Sequence, residues 1–166
     1  LDDEEPAGAY LPHELRETAP GVWRLDFGRV VTGWLEADFE ELLPGARVEI
    51  AYSDATEPDG SLADQRQRDT YIARGDGRER FCNKFNHHAF RYAEVRGLTQ
   101  RPRREDFRAL AIRTDYRPEA EFASSDADLN AIHDMIAHTL RCLAYNGYMV
   151  DCPHLERAGY GGAGNS

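Results

Sequence analysis

No stretch of about 18 consecutive apolar residues, the length a membrane-crossing helix requires, occurs in the 166 residues, so no membrane partner is expected. Cysteine is scarce. Cys82, Cys142 and Cys152 form no Cys-x-x-Cys pair and cannot all be bridged to one another, which argues against a disulfide framework and fits a reducing, cytoplasmic compartment better. A basic excess is also missing: 20 Lys and Arg stand against 30 Asp and Glu, for a net charge of −10. Nucleic-acid affinity rests on clustered cations that neutralise phosphates, so nucleic acid is excluded as a partner class, while neutral ligands such as sugars stay open. The densest basic run, Arg101 to Arg104, is broken by Pro102 and reads as a solvated loop. His87 and His88, adjacent on a strand, face opposite ways, and His133 and His138 miss the i, i+4 spacing that puts two ligands on one helix face. Neither a metal nor a cofactor is therefore expected. The chain has no internal repeat and no low-complexity tract. Its acidic start, Leu1 to Pro6, has neither the basic nor the apolar region of a signal peptide, which leaves export open because a leader can precede Leu1.

What the chain does have is an apolar fraction of 41% with 10% aromatics, enough for a packed core in one ordinary domain plus a piece of another. Residues 1–20 carry three prolines, several acids and no sustained periodicity, and read as an entry segment. Period-two alternation then begins. Trp23, Leu25 and Phe27 end at Gly28; Leu35, Ala37 and Phe39 follow; Val48, Ile50 and Tyr52 make a third strand. Leu43-Pro44-Gly45 and Glu57-Pro58-Asp59-Gly60 punctuate them as turns, and Thr70–Ala73, Glu79–Cys82, Ala89–Val95 and Phe107–Arg113 supply four more strands. Many short strands with no helical pattern among them predict a mainly β domain over 21–118, an antiparallel β-sandwich of jelly-roll-like or related topology. Trp23, Trp34, Tyr52, Tyr71, Phe90 and Tyr92 are expected mostly on its inward face, as core and not as a sugar-stacking platform.

The period changes at Ser125. Ser125 and Asp128 form a capping box ahead of Leu129, Ile132, Ile136, Leu140 and Leu143, which recur at helical spacing and predict a linker helix ending near Asn146-Gly147. Its apolar stripe has little sequence downstream to cover it, so the stripe is expected to be exposed. The chain then runs through Asp151-Cys152-Pro153 to Glu156 and ends in a glycine-rich stretch, which reads as a truncated second domain over 119–166. Two carboxylates beyond a helix C-terminus, one on each side of a proline, have a placement suited to chemistry, although spacing alone does not make them catalytic. Cys152, with no histidine spaced to activate it, reads as a small packed side chain and not as a nucleophile.

The ordered string says more. Asp151, Cys152, Pro153, Glu156, Arg157, Gly159, Tyr160 and Gly162 resemble eight of the ten specified positions in the Asp-Cys-Pro-x-Arg-Glu-Arg-x-Gly-Trp/Tyr-x-Gly-Asp signature of the α-L-rhamnosidases, glycoside hydrolase family 78. Upstream, Asp69-Thr70-Tyr71, the Gly75–Gly77 turn, Phe81, Phe85 and the run His88 to Gly97 resemble the family's sandwich segment in order and interval. Phe122 to Asp126 with Leu129-Asn130 resembles its entry into the first catalytic helix, so that the likeness covers residues 22–166.

The resemblance implies a concanavalin-like sandwich followed by the start of a six-hairpin α/α-barrel that removes terminal α-L-rhamnose by inversion. Such chemistry uses an acid and a base held roughly 6.5–9.5 Å apart. By motif, Glu156 is the general acid and Asp151 a substrate-binding carboxylate, while Arg157 and Tyr160 shape the pocket; the family's general base lies beyond Ser166. The partner implied is a rhamnose-containing carbohydrate, and the chain alone, lacking the rest of its barrel, is expected to be inactive. Two positions depart from the pattern: Leu155 stands where the family has Arg, and Ala163 where it has Asp. Those departures keep a second reading in play, a non-catalytic carbohydrate-binding or scaffolding sandwich.

Overall fold

The computed structural model describes residues 5–83, 85–114, 121–145, 148–150 and 152–153. In chain order the elements are β1 (Glu5–Tyr10), β2 (Glu14–Ala19), β3 (Val22–Glu40), β4 (Arg47–Ser53), β5 (Gln67–Ile72), β6 (Arg78–Cys82), β7 (His88–Arg96), β8 (Phe107–Arg113), α1 (Ala127–Leu143), β9 (Ala144–Tyr145) and β10 (Tyr148–Met149). The main sheet is hydrogen-bonded in the order β1-β8-β3-β7-β4-β5, with β2 and β6 also on β3.

The 19 residues of β3 organise the domain. Val22–Asp26 pair with β7 and Glu14–Ala19 flank them on the other side, whereas Gly33–Ala37 pair with β8 and Glu36–Glu40 with β6. One strand therefore belongs to both layers of an antiparallel β-sandwich, β2-β3-β7-β4-β5 and β6-β3-β8-β1. The corner lies between Asp26 and Val31, where the register shifts and Gly28 sits at φ 74°, a conformation that costs a residue with a Cβ. Alternate side chains on both sides of the corner enter one core: Leu25, Phe27, Val31, Leu35, Ala37 and Phe39 meet Val48, Ile50 and Tyr52 of β4, Phe90, Ala93 and Val95 of β7, and Phe107 and Ala109 of β8.

The sandwich expected from the sequence is present, with particulars that differ. The strands read at Trp23–Phe27 and Leu35–Phe39 are one strand, because the bulge at Gly28 absorbs the irregularity and the ladder resumes at Val31. The segment read as an entry, 1–20, supplies β1 and β2. Both were hard to read for a physical reason. β2 is an edge strand of which only Leu15 packs against the core, so it has no alternation, and charged edges of this kind discourage pairing with another chain. β1 carries Pro6 at an irregularity in its pairing with β8. Of the six aromatics, Trp23, Tyr52 and Phe90 are buried and Tyr71 packs partly against the core, but Trp34 and Tyr92 are half-exposed.

The outer side of β3 is ionic. Arg24 faces Glu94 across the β3–β7 ladder, with its Nη2 2.7 Å from Oε1, and Asp38 faces Arg80 across β3–β6. The Arg80 and Arg78 guanidiniums hold the Asp38 carboxyl below its ordinary range despite the opposing effect of burial.

α1 is capped by Asp126, whose carboxylate accepts from the Asp128 and Leu129 amides, and not by Ser125 as the sequence suggests. The reason is local: the Asn130 side chain clasps both backbone groups of Ser124, which sets the start one residue later. The helix ends at Leu143 because the chain turns at once into β9; Asn146 and Gly147 lie outside the described residues. Toward the sandwich it leans on β3, with His138 Nε2 2.8 Å from the Val30 carbonyl and Cys142 beside it. Leu129, Ile132, Met135, Ile136 and Leu140 are exposed, in keeping with the expected stripe, while Leu143 is half-buried.

Candidate functional site

The chain approaches its acidic motif through a small hairpin. Ala144 and Tyr145 pair with Met149 and Tyr148, and the Val150 amide donates to the Leu143 carbonyl at 2.9 Å. The Thr114 amide, just past β8, donates to the Ala144 carbonyl at 3.0 Å, tying β9 to the sandwich. Ala144, Tyr145 and Val150 are buried, as is Pro153, and Cys152 is half-buried. With Ala144, Tyr145 and Val150 buried and these backbone groups paired, the hairpin has little freedom at the point from which Asp151 departs. Asp151, Glu156, Arg157 and Tyr160 themselves lie outside the described residues, as do Leu155 and Ala163. The described structure thus brings residues 150, 152 and 153 to the helix end but does not relate the four candidate side chains to one another.

His87 packs against this hairpin, and its neighbour His88 belongs to a polar cluster of the sandwich. Asp69 on β5 is buried and accepts from Tyr52 Oη at 2.8 Å and from Asn83 Nδ2 at 2.7 Å, and its Oδ2 lies 3.1 Å from His88 Nε2. The imidazole lies flat on the Tyr52 ring, with centroids 4.1 Å apart and planes 19° from parallel. Burial pushes the Asp69 carboxyl up, but the bonds from His88, Asn83 and Tyr52 outweigh it, and it titrates below the ordinary aspartate value. Burial and the neighbouring Asp69 charge push the Tyr52 phenol well above its ordinary value. His88 points inward as an element of the sheet, while its neighbour His87 places its ring edge-on to Tyr145, with centroids 4.5 Å apart. The sequence reading set both histidines on a strand; β7 begins at His88, and His87 precedes it.

Sequence reasoning singled out Asp69 for resemblance alone and His88 for resemblance and as a rejected metal ligand, and passed over Asn83 and Tyr145. The available signal was Asp69 itself: Gln67 and Asp69 fall on the buried face of β5 while Arg68 and Thr70 are exposed, and a carboxylate at a core register position requires donors around it. A second carboxylate of this kind, Glu79, accepts from Tyr71 Oη and from the Arg74 and Gly75 amides at 2.8 Å each; these bonds, that of Tyr71 first, lower its pKa to about 2. Among the described residues no group of three or more His, Cys, Asp or Glu is arranged to hold a metal ion. A cleft of about 290 Å³ between α1 and the corner of β3 is lined by Arg29, Thr32, Arg113 and His138, among others.

Comparisons with known proteins give the same outline. The family model described as bacterial alpha-L-rhamnosidase concanavalin-like domain matches residues 16–113, and that described as bacterial alpha-L-rhamnosidase 6 hairpin glycosidase domain matches 117–166. An alpha-L-rhamnosidase of Formosa agariphila is 29% identical over 161 residues, and one of Streptomyces avermitilis 28% identical over 128. These alignments take in 91% and 74% of the chain but only 17% and 12% of the relatives, so the chain spans less than a fifth of their length. Among solved structures, the alpha-L-rhamnosidase from Dictyoglumus thermophilum superposes with a TM-score of 0.86 at 26% identity, over 92% of this chain and 18% of that one. The Streptomyces avermitilis alpha-L-rhamnosidase complexed with L-rhamnose gives 0.83 at 25% identity, over 90% and 15%.

Proposed function

Since the chain belongs to the bacterial alpha-L-rhamnosidase family, whose concanavalin-like domain model matches most of it, we propose that the full-length protein hydrolyses terminal α-L-rhamnosides and that this segment holds the support of the catalytic domain and its proton donor. Glu156 protonates the leaving oxygen, Asp151 binds sugar hydroxyls beside the scissile bond, and Arg157 and Tyr160 shape the pocket. A base from the barrel, carried on chain beyond this segment, activates water on the opposite face of the ring, which makes the reaction inverting. Glu156 donates near neutral pH only where burial or a neighbouring carboxylate raises it from the free value of about 4.3, and Asp151 is the nearest such carboxylate in sequence. The segment alone, without the base, does not turn over substrate.

The observation that carries this reading is the hairpin: a chain tied to the sandwich through Thr114 and to the end of α1 through Val150 runs directly into the string that resembles the acid motif. Proton transfer needs positional precision, and an anchored approach to the motif supports the reading. In the full-length protein, Glu156→Gln lowers kcat on an aryl α-L-rhamnoside by about 10²–10⁴-fold, the usual contribution of a general acid, with the melting temperature unchanged. Equal turnover by the variant removes the assignment.

Leu155 and Ala163 favour the second reading, a sandwich that binds or scaffolds carbohydrate without cleaving it. Each replaces a charged group whose hydrogen bonds to a ligand contribute about 1.5–3 kcal/mol. A full-length protein that binds rhamnose but releases none from any aryl rhamnoside, and gains activity with Ala163→Asp, supports that alternative.

A further inference from the structure

The Asp69 cluster does more than satisfy polar groups in a core. Apolar side chains in place of both Asp69 and His88 would fill comparable volume without the desolvation that a buried carboxylate and imidazole incur, so hydrophobic stabilisation does not account for this choice of side chains. What such a cluster adds is direction. Asn83 and His88 bracket the connection between β6 and β7, and both bind Asp69: Asn83 to Oδ1 at 2.7 Å, His88 to Oδ2 at 3.1 Å. One buried carboxylate thus closes the connection at both ends. Tyr52 holds the same Oδ2 and stacks on the imidazole, which blocks rotation of the ring.

Chain continuity carries the constraint outward. His87 immediately precedes β7 and is bonded to His88, so holding His88 restrains the backbone that carries His87, whose ring packs against Tyr145 with centroids 4.5 Å apart. Tyr145 is a buried residue of β9, and β9 pairs with β10, from which the chain passes through Val150 to Asp151. We propose that Asp69, Asn83, His88 and His87 form a positioning network through which the sandwich sets the placement of the hairpin that delivers the acid motif. The inference rests on the rhamnosidase reading for its catalytic consequence, but not for its mechanical one. None of these residues touches substrate; they act through Tyr145.

Two variants, Asn83→Ala and His87→Ala, and their double are compared in the full-length protein. His87→Ala lowers kcat on an aryl α-L-rhamnoside at least tenfold with KM within twofold, because the hairpin loses its lateral support while the sugar contacts persist. Asn83→Ala acts in the same direction, and the double variant is no worse than His87→Ala alone, since both lie on one path. Hydrogen exchange supplies a readout independent of activity: the amides of Thr114 and Val150 exchange at least tenfold faster in His87→Ala, while those of β3 and β7 keep wild-type rates. Unchanged exchange at Thr114 and Val150 overturns the proposal, as do independent, additive effects of the two substitutions or a kcat equal to wild type in an active enzyme. A wild-type protein without rhamnosidase activity sinks the functional reading alone, and the exchange experiment still decides the mechanical one.

Discussion

Removing Glu94 is expected to cost about 3 kcal/mol, and the structure shows why. Arg24 and Glu94 lie opposite each other on β3 and β7 with side chains 4% and 7% exposed. Arg24 donates from Nε and Nη2 to Glu94 Oε1, at 3.0 and 2.7 Å, and from Nη1 to the Gly60 carbonyl at 2.6 Å. In Glu94→Ala the guanidinium stays buried with only the Gly60 carbonyl facing it. Breaking a buried pair from one side costs about 3–5 kcal/mol, and the surviving carbonyl bond places this case at the lower end. For a chain of this size each kcal/mol is about 2–4 °C of melting temperature, so the variant melts roughly 6–12 °C below wild type. Urea denaturation followed by the fluorescence of Trp23, which is buried beside Arg24 in the sequence, reads the change. The double replacement Arg24→Met with Glu94→Leu removes both charges and is expected within about 1 kcal/mol of wild type, because the desolvation cost disappears with the attraction. A Glu94→Ala midpoint matching wild type, or a double variant less stable than the single, refutes the argument.

Two further outcomes test other parts of the fold. Glu79 has a folded pKa of about 2 against an ordinary 4.5, so its stabilising contribution is complete above pH 4.5 and is lost as the pH falls through 2. The difference in urea midpoint between wild type and Glu79→Gln should therefore be constant near neutrality and shrink steadily below pH 4.5; a gap that does not depend on pH would refute the assignment. Gly33→Ala places a Cβ 1.9 Å from the Leu110 carbonyl oxygen, a clash with the backbone of β8 that no rotamer relieves. Overpacking of this kind costs about 3 kcal/mol or more, and a variant with the wild-type midpoint would show that the two strands lie further apart.

What could be read from the sequence follows burial. β4, β7 and β8, and the two halves of β3, each turn apolar residues into the core at alternate positions, and that alternation marks them; α1 shows its 3.6-residue period because its apolar side is continuous. β1 and β2 had no such mark, being edges with little to bury. The joining of β3 across Gly28 was hidden because a bulge and a turn use the same residue. The capping residue was misread by one position because Asn130, a side chain six residues ahead, decides where the helix starts. At the site, Glu156 and Asp151 were legible only as a resemblance, since two acids five apart have no geometry until a fold gives them one. The Asp69 cluster had the opposite character: its geometry is plain in three dimensions, but its members come from three separate strands and the loop after β6, at intervals that sequence spacing does not connect.

Because β3 runs through both layers, the two sheets share a single alignment decision. A slip of one residue along this strand would turn Leu25 and Phe27 outward in one layer and Leu35, Ala37 and Phe39 outward in the other at the same moment. Neither layer can reach its native pairing while the other is misaligned, so partly formed sandwiches have no stable resting place, and unfolding should proceed in one step from end to end.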